Sequence, residues 1–410
     1  LVRVIVWVNN KKHLNKSHQK NVVLGASMGG LLGYRALRTM EVQNTDPETE
    51  YLITFDSPMQ GASIPLGLQA LVKYFGNYSS LDPSSTFPPK YKKVNQLQPL
   101  LSSVQKVLLS PAAKQMLYYH IYNCDTLTTV LNGDTIQYEG NFDFGGWHEE
   151  FMTDFYDQGE LDTKHLVISN GSGLGDGQLL FPGQQYLKFS GGAGAEYVLA
   201  GGGVTVNYSE VYAMNTSGQN WQSLYKHSIS QYYHVLILGY WSNSSIDFKL
   251  PQNHTLNNYE CSPAGFSDFG VSVIANTNGL QGFKIDNLNN KGCFGFVPTI
   301  SSQNLSDYPS PWQSFQGCLN QRSYQCYTVH DNDTKSRFSN AGESNQEHVS
   351  INSKNATFLL DLIYNDDYND LKTAGILSNR DFNFGNGSEY HGPDPNQFNP
   401  ISIPRLIDFD

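Results

Sequence analysis

The first sixty residues alternate short apolar runs with polar stretches. Val4–Val8 is apolar throughout and reads equally as a buried strand or as part of a helix, because periodicity does not separate the two at this length. The polar stretch 11–20 leads to Asn21-Val22-Val23-Leu24, a short strand. Leu31, Tyr34 and Leu37 then recur at helical spacing within Gly29–Arg38. Polar residues to Glu50 precede a second apolar strand, Tyr51–Phe55, which stops at Asp56-Ser57-Pro58. Strand, helix and strand in so short a stretch is the pattern of a βαβ unit and of a parallel sheet.

Beyond this unit the pattern changes twice. Residues 64–160 read as mostly helical, with one helix from Leu66 to Phe75 and another opened by Ser110 as N-cap and Pro111 at N1. A further helix runs through Glu149–Tyr156, and a third core strand, His165–Ser169, ends at Asn170-Gly171-Ser172-Gly173. From 178 to 290 the chain alternates and is rich in aromatic residues and Gly turns, which predicts a β-rich insertion. Core-like patterns return at Gly295–Pro298 and Val349–Tyr364. The expected organisation is core 1–63, helical lid 64–160, core strand 161–177, β-rich insertion 178–290, and a C-terminal core part with a polar surface tail, 291–410.

Composition narrows the function classes. A chain of 410 residues with 39% hydrophobic and 15% charged residues can bury a substantial core and is too aromatic for a disordered polymer. Its net charge of −11 and lack of a basic stripe argue against a nucleic-acid partner. No apolar run reaches the length of a membrane span. Asn-x-Ser/Thr sites recur, Asn77, Asn207, Asn243 and Asn253 among them, and lysines are few, which leans towards a secreted or cell-surface address. The odd set of five cysteines leaves disulfide pairing open, with Cys261/Cys293 and Cys318/Cys326 as neighbours in sequence and Cys124 left over.

The sharpest chemical signal is Gly25-Ala26-Ser27-Met28-Gly29, set between the first strand and its helix. A serine at such a corner is exposed and oriented for attack, and glycines two residues away on either side let the backbone close around it. The helix that follows brings its positive end, and the Met28 backbone N–H, beside any oxyanion formed at Ser27. Residues alone leave the base open between the loop histidines His348, His330 and His391. The histidines do not cluster with carboxylates at ligand spacing, so neither a metal nor another cofactor is expected.

Asn21–Arg38 together with Phe55-Asp56-Ser57-Pro58-Met59-Gln60-Gly61-Ala62 resembles the lipase and serine-esterase branch of the α/β-hydrolases, close to secreted bacterial hydrolases that are themselves similar to inositol deacylases. Gly295-Phe296-Val297-Pro298-Thr299-Ile300-Ser301-Ser302 resembles the strand-exit segment before the family's histidine, and Asn345-Gln346-Glu347-His348-Val349 the histidine loop. The resemblance implies an α/β fold of the α/β-hydrolase type: a mostly parallel sheet with a helical lid and the β-rich insertion. It implies ester cleavage by Ser27 with His348 as base, and an ester or lipid-like small molecule as substrate. The acid that the family carries before the Gly-x-Val-Pro-Thr segment is replaced by Phe294, leaving Asp56 as first candidate and Asp176 as second, with Glu347 or Asp333 behind them. In that family several strands precede the serine, so Ser27 arriving this early implies an incomplete sheet and a missing second oxyanion donor. Leu66, Leu68, Leu71, Val72, Phe75, Val107, Leu108, Leu109 and Tyr118-Tyr119 either line a lid over an apolar acyl pocket or pack as plain helical core. The alternative is a non-catalytic extracellular module that contacts a cell surface or a glycan through the β-rich insertion.

Overall fold

The computed structural model describes residues 1–76, 79–81, 91–93, 105–121, 146–170, 180, 182–197, 200–214, 222–235, 238–249, 259–262, 264–267, 283–289, 294–302, 324–331, 334–341 and 348–349. The apolar N-terminal run is helical: α1 spans Val2–Leu14 and buries Ile5 and Asn9. Asn9 donates to the Pro47 carbonyl (3.1 Å) and accepts from Asn21 Nδ2 (2.7 Å), which ties α1 to the start of the first strand. Strand β1 (Asn21–Ala26), helix α2 (Met28–Val42) and strand β2 (Thr49–Phe55) follow. Leu31, Tyr34, Leu37 and Met40 form the buried stripe of α2, packed with Ile5, Leu52, Met59, Phe155 and Leu161. Each such apolar side chain contributes about 2 kcal/mol by leaving water.

Strand β5 (Lys164–Ser169) completes a parallel trio, β1–β2–β5, with β2 at its centre. Leu52, Ile53, Thr54 and Phe55 are fully buried, as expected of a parallel strand covered on both faces. The sheet goes on to β13 (Tyr324–Asp331) and β14 (Thr334–Ala341), both in antiparallel pairings. It is therefore mixed and not mostly parallel. The physical reason is the two-residue connection between β13 and β14, which is too short for a parallel crossover. At the other margin β1 pairs with β2 alone among the described residues, leaving Val22 36% and Leu24 48% exposed.

A second sheet is wholly antiparallel, in the order β11 (Phe283–Leu288), β6 (Gln185–Tyr197), β7 (Ala200–Tyr212), β8 (Ser223–Val235), β9 (Leu238–Lys249). One end of its inner face supplies Tyr186, Leu187, Val211, Tyr225, Ile229 and Phe248 to the largest core cluster. Helix α3 (Leu66–Gly76) packs on β7 and β8, and its Leu66, Leu68, Leu71 and Val72 belong to that cluster. Of the two readings open for these side chains, core packing fits: with Leu108 they are buried against the facing apolar sheet, while Val107 and Leu109 are exposed. Helix α4 (Pro111–Met116) starts at Ser110, whose side chain accepts from the Ala113 N–H, and α5 (Gly146–Tyr156) packs against it. Short strands β3 (Ser79–Leu81) and β4 (Tyr91–Lys93) pair with each other.

Two further strands reach the first sheet's carboxyl edge. β10 (Ala264–Ser267) and β12 (Phe294–Pro298) form an antiparallel ribbon, followed by the single turn Thr299–Ser302. Ser301 Oγ donates to the Gly61 carbonyl (2.6 Å) and accepts from the Gln60 N–H (3.0 Å). Ser63 N–H donates to the Phe296 carbonyl (2.6 Å), so the loop after β2 is fastened to the ribbon on both sides.

Candidate active site

Register places the first two site residues. Ala26 pairs with Phe55 and Phe55 with Ile168, so β1, β2 and β5 end level. Ser27 and Asp56 are the next residues on adjacent strands, about 5 Å apart in the backbone. The Ser27 N–H donates to the Phe55 carbonyl (2.9 Å) and the Asp56 N–H to the Ile168 carbonyl (2.7 Å), carrying the ladder into the turns. The carboxyl edge of parallel strands is where open sheets of this kind hold their ligands.

Ser27 sits between strand and helix at φ 50°, ψ −130°, a conformation that non-glycine residues rarely adopt. The neighbours make room for it. A Cβ on Gly25 would lie 2.4 Å from the Gly29 carbonyl oxygen, and one on Gly30 would lie 2.0 Å from Ser57 Oγ. Only glycine lets α2 start this close to β1 and to the loop after β2. Met28 is the first residue of α2, so its N–H is among the helix donors with no intrahelical acceptor.

His348 joins the two strands. Its Nδ1–H donates to Asp56 Oδ2 at 2.6 Å, and its Nε2 accepts from Ser27 Oγ at 2.9 Å. The carboxylate can only accept, which assigns the Nδ1–H tautomer. Asp56 is fully buried, while the His348 side chain retains 14% exposure. The Val349 N–H also donates to Asp56 Oδ2 (3.3 Å), and the Asn170 N–H donates to Asp56 Oδ1 (3.3 Å). The ribbon holds the histidine from behind: its N–H donates to the Phe266 carbonyl (2.8 Å), and the Phe296 ring meets the imidazole edge-on at 4.8 Å. Ser27, Asp56 (φ 46°) and Val349 (φ 53°) all lie at positive φ. Three such residues around one imidazole represent strain of about 1–3 kcal/mol each, retained where the surroundings over-determine the backbone.

Such an array can move a proton from Ser27 Oγ to Nε2 while the buried carboxylate keeps the ring oriented and stabilises its cation. Among the candidates from sequence, Ser27, His348 and Asp56 are brought together. Asp176, Glu347, Asp333 and His391 lie outside the described residues, as do Cys124, Cys293 and Cys318, the core-like stretch 350–364 and the C-terminal tail. The His330 backbone is on β13 in register with His165. Phe294 is a core residue packed on Tyr186. Sequence reasoning missed Asn170, Gly265 and Phe266 as neighbours of Asp56 and His348. It noted Phe296 only as part of a strand.

Around the fastened loop, aromatic packing excludes water. Tyr118 stacks on Tyr259 (3.8 Å between centroids) and meets His148 edge-on. Burial raises the Tyr118 hydroxyl well above its ordinary range and lowers His148, whose Nδ1–H donates to the Gln115 carbonyl (2.9 Å). Both groups are therefore neutral near pH 7. Among the described residues no cluster of His, Cys, Asp and Glu could hold a metal ion, and no helix is long and apolar enough to cross a membrane. Comparison with protein-family models, with curated proteins and with solved structures finds no match to this chain.

Proposed function

We propose that this chain is a serine hydrolase of carboxylic esters, built on a sheet of the α/β-hydrolase type. The observation that carries the reading is the bridging imidazole of His348, bonded to Ser27 Oγ through Nε2 and to buried Asp56 through Nδ1. Ser27 Oγ attacks the ester carbonyl carbon as its proton passes to His348 Nε2. Asp56 stays ionised and stabilises the imidazolium. The oxyanion draws on the Met28 N–H and the positive end of α2. Collapse of the tetrahedral intermediate expels the alcohol, protonated by His348, and leaves an acyl group on Ser27. Water, deprotonated by His348, attacks that acyl group and releases the acid.

An ester or lipid-like small molecule is the substrate class in this reading, and a secreted or cell-surface setting agrees with the neutral-polar composition. The test is labelling with a fluorophosphonate probe together with hydrolysis of p-nitrophenyl esters. Labelling confined to Ser27, lost in Ser27→Ala along with about 10⁶-fold of turnover, supports the reading. A folded wild-type chain that neither labels nor hydrolyses esters would falsify it.

A second reading has its own observation. Trp241 is 73% exposed on β9 and packs against the Tyr232 ring of β8 (4.7 Å between centroids), on a sheet that also exposes Asn207 and Asn243. The two rings are tilted at 41° to each other, and in that reading this outer face of the antiparallel sheet contacts a glycan or cell surface. Glycan binding that is abolished by Trp241→Ala and unaffected by Ser27→Ala would favour it.

A further inference from the structure

The β10–β12 ribbon approaches Asp56 at one residue. A Cβ placed on Gly265 would lie 2.6 Å from Asp56 Oδ2, 2.8 Å from the Asn170 carbonyl oxygen and 3.1 Å from Asn170 Cβ. Oδ2 is the oxygen that accepts from His348 Nδ1 and from the Val349 N–H. The next residue, Phe266, accepts from the His348 N–H. Gly265 thus stands where the acid and the backbone of the histidine are both fixed, and its α-carbon is the wall against which the carboxylate rests.

We propose that Gly265 is a positioning residue, whose missing side chain sets the place of the Asp56 carboxylate under the His348 imidazole. The proposal rests on the reading of Ser27, His348 and Asp56 as one catalytic array. An added methyl has two ways to escape a 2.6 Å contact. Either the carboxylate swings off Nδ1, or β10 withdraws and takes the Phe266 carbonyl, and with it His348, away from Ser27. The Asn170 carbonyl belongs to the backbone just beyond β5 and cannot yield cheaply. The first route breaks the bond from Asp56 to His348 Nδ1 and the second draws the imidazole off Ser27 Oγ, and neither moves the Ser27 backbone or the Met28 N–H.

Gly295 supplies a control on the same ribbon. It lies on β12, opposite Phe266, and the atoms nearest a Cβ there are the Ser262 carbonyl (3.0 Å), Ala264 Cβ (3.1 Å) and the Glu260 carbonyl (3.3 Å). Gly265→Ala and Gly295→Ala therefore both crowd the ribbon, but only the first crowds Asp56.

The experiment compares wild type, Gly265→Ala and Gly295→Ala by melting temperature, by kcat and KM on a p-nitrophenyl ester, and by the low-field proton resonance of His348 Nδ1–H. Gly265→Ala is expected to lower kcat about 100-fold, with KM changed less than threefold and the low-field resonance shifted or lost. Gly295→Ala, whose contacts are looser, is expected to keep both and to lower the melting temperature less. Adding Asp56→Asn to Gly265→Ala should cost little beyond Asp56→Asn alone, because both act on one bond. If Gly265→Ala fails to fold, the same test runs with Asn170→Gly added, which removes the 3.1 Å contact and keeps the one at 2.6 Å. A Gly265→Ala protein with unchanged resonance and kcat, or with losses matched by Gly295→Ala, overturns the proposal. If wild type hydrolyses no ester and Gly265→Ala still loses the resonance, the positioning role stands and the hydrolase reading falls.

Discussion

Ser27 and Asp56 follow residues that pair directly across neighbouring parallel strands, Ala26 with Phe55. The distance between Ser27 and Asp56 is thereby written into the spacing of a sheet, and His348 has only to span it. A carboxylate so placed needs no loop of its own. Asp56→Asn keeps the shape of the side chain but favours the wrong imidazole tautomer. Turnover should fall by about 10⁴-fold and fluorophosphonate labelling of Ser27 should slow with it, with the fold little changed. A drop smaller than tenfold in kcat would show that another group orients the histidine.

The tight start of α2 gives a stability test independent of any activity. Gly30→Ala sets a methyl 2.0 Å from Ser57 Oγ and 2.9 Å from Thr54 Cγ2. Urea unfolding should report a loss of roughly 1–3 kcal/mol, as for other overpacked sites. Ser57→Gly in the same chain should recover part of it. A change below about 0.5 kcal/mol would mean that α2 is free to lift away from β2 and the loop that follows it.

Helix α3 is core, and its substitutions should behave accordingly. Leu68→Ala removes a fully buried side chain from the cluster shared with Val211 and Tyr225. Unfolding free energy should fall by about 2–5 kcal/mol. The preference among short and long acyl esters should stay the same. A shifted chain-length preference at unchanged stability would instead restore the lid.

Two buried groups give stability opposite slopes with pH. Burial pushes the Glu260 carboxyl up to about 7, against backbone donors at Met214 and Leu66 that favour its ionised form. Its contribution is fully present below the ordinary value of 4.5 and is lost as pH rises through about 7. Burial pushes His227 down to about 4, so its contribution is present above 6.5 and is lost as pH falls through about 4. Each spans roughly 3 kcal/mol, and between about pH 4.5 and 6.5 the two offset one another. His120 and His148, also lowered by burial, add to the loss on the acid side. Glu260→Gln should steepen the rise of melting temperature with pH across that window, and His227→Gln should flatten it. Parallel curves for wild type and Glu260→Gln would refute the assignment.

Sequence reasoning worked where structure is set by near neighbours. The strand, corner and helix around Ser27 depend on residues within one βαβ unit. The start of α4 at Ser110-Pro111 depends on two. Partners distant in the chain left no local trace. The bond between Asp56 and His348 spans 292 positions, and the residues alone could not choose between Asp56 and Asp176. The approach of Gly265 is likewise a property of the folded ribbon. The leucines of α3 have the same pattern whether they face a ligand or a sheet, and only β7 and β8 decide. Strands β13 and β14 are mostly polar and carry no strand signal of their own, since β13 is placed by pairing with β5 and β14 by pairing with β13.

The position of β1 at the margin of its sheet bears on how the molecule ages under heat. Among the described residues the strand leading into Ser27 is stitched along one side only, with Val22 and Leu24 part-open to solvent. Marginal strands loosen at lower free energy than central ones. Ser27 would lose its corner while β2, β5 and the antiparallel sheet still hold. Ester hydrolysis should then decay several degrees below the main unfolding transition, and reversibly on cooling, with amide exchange along 21–26 rising over the same interval. Heat would silence the reaction well before it melts the protein.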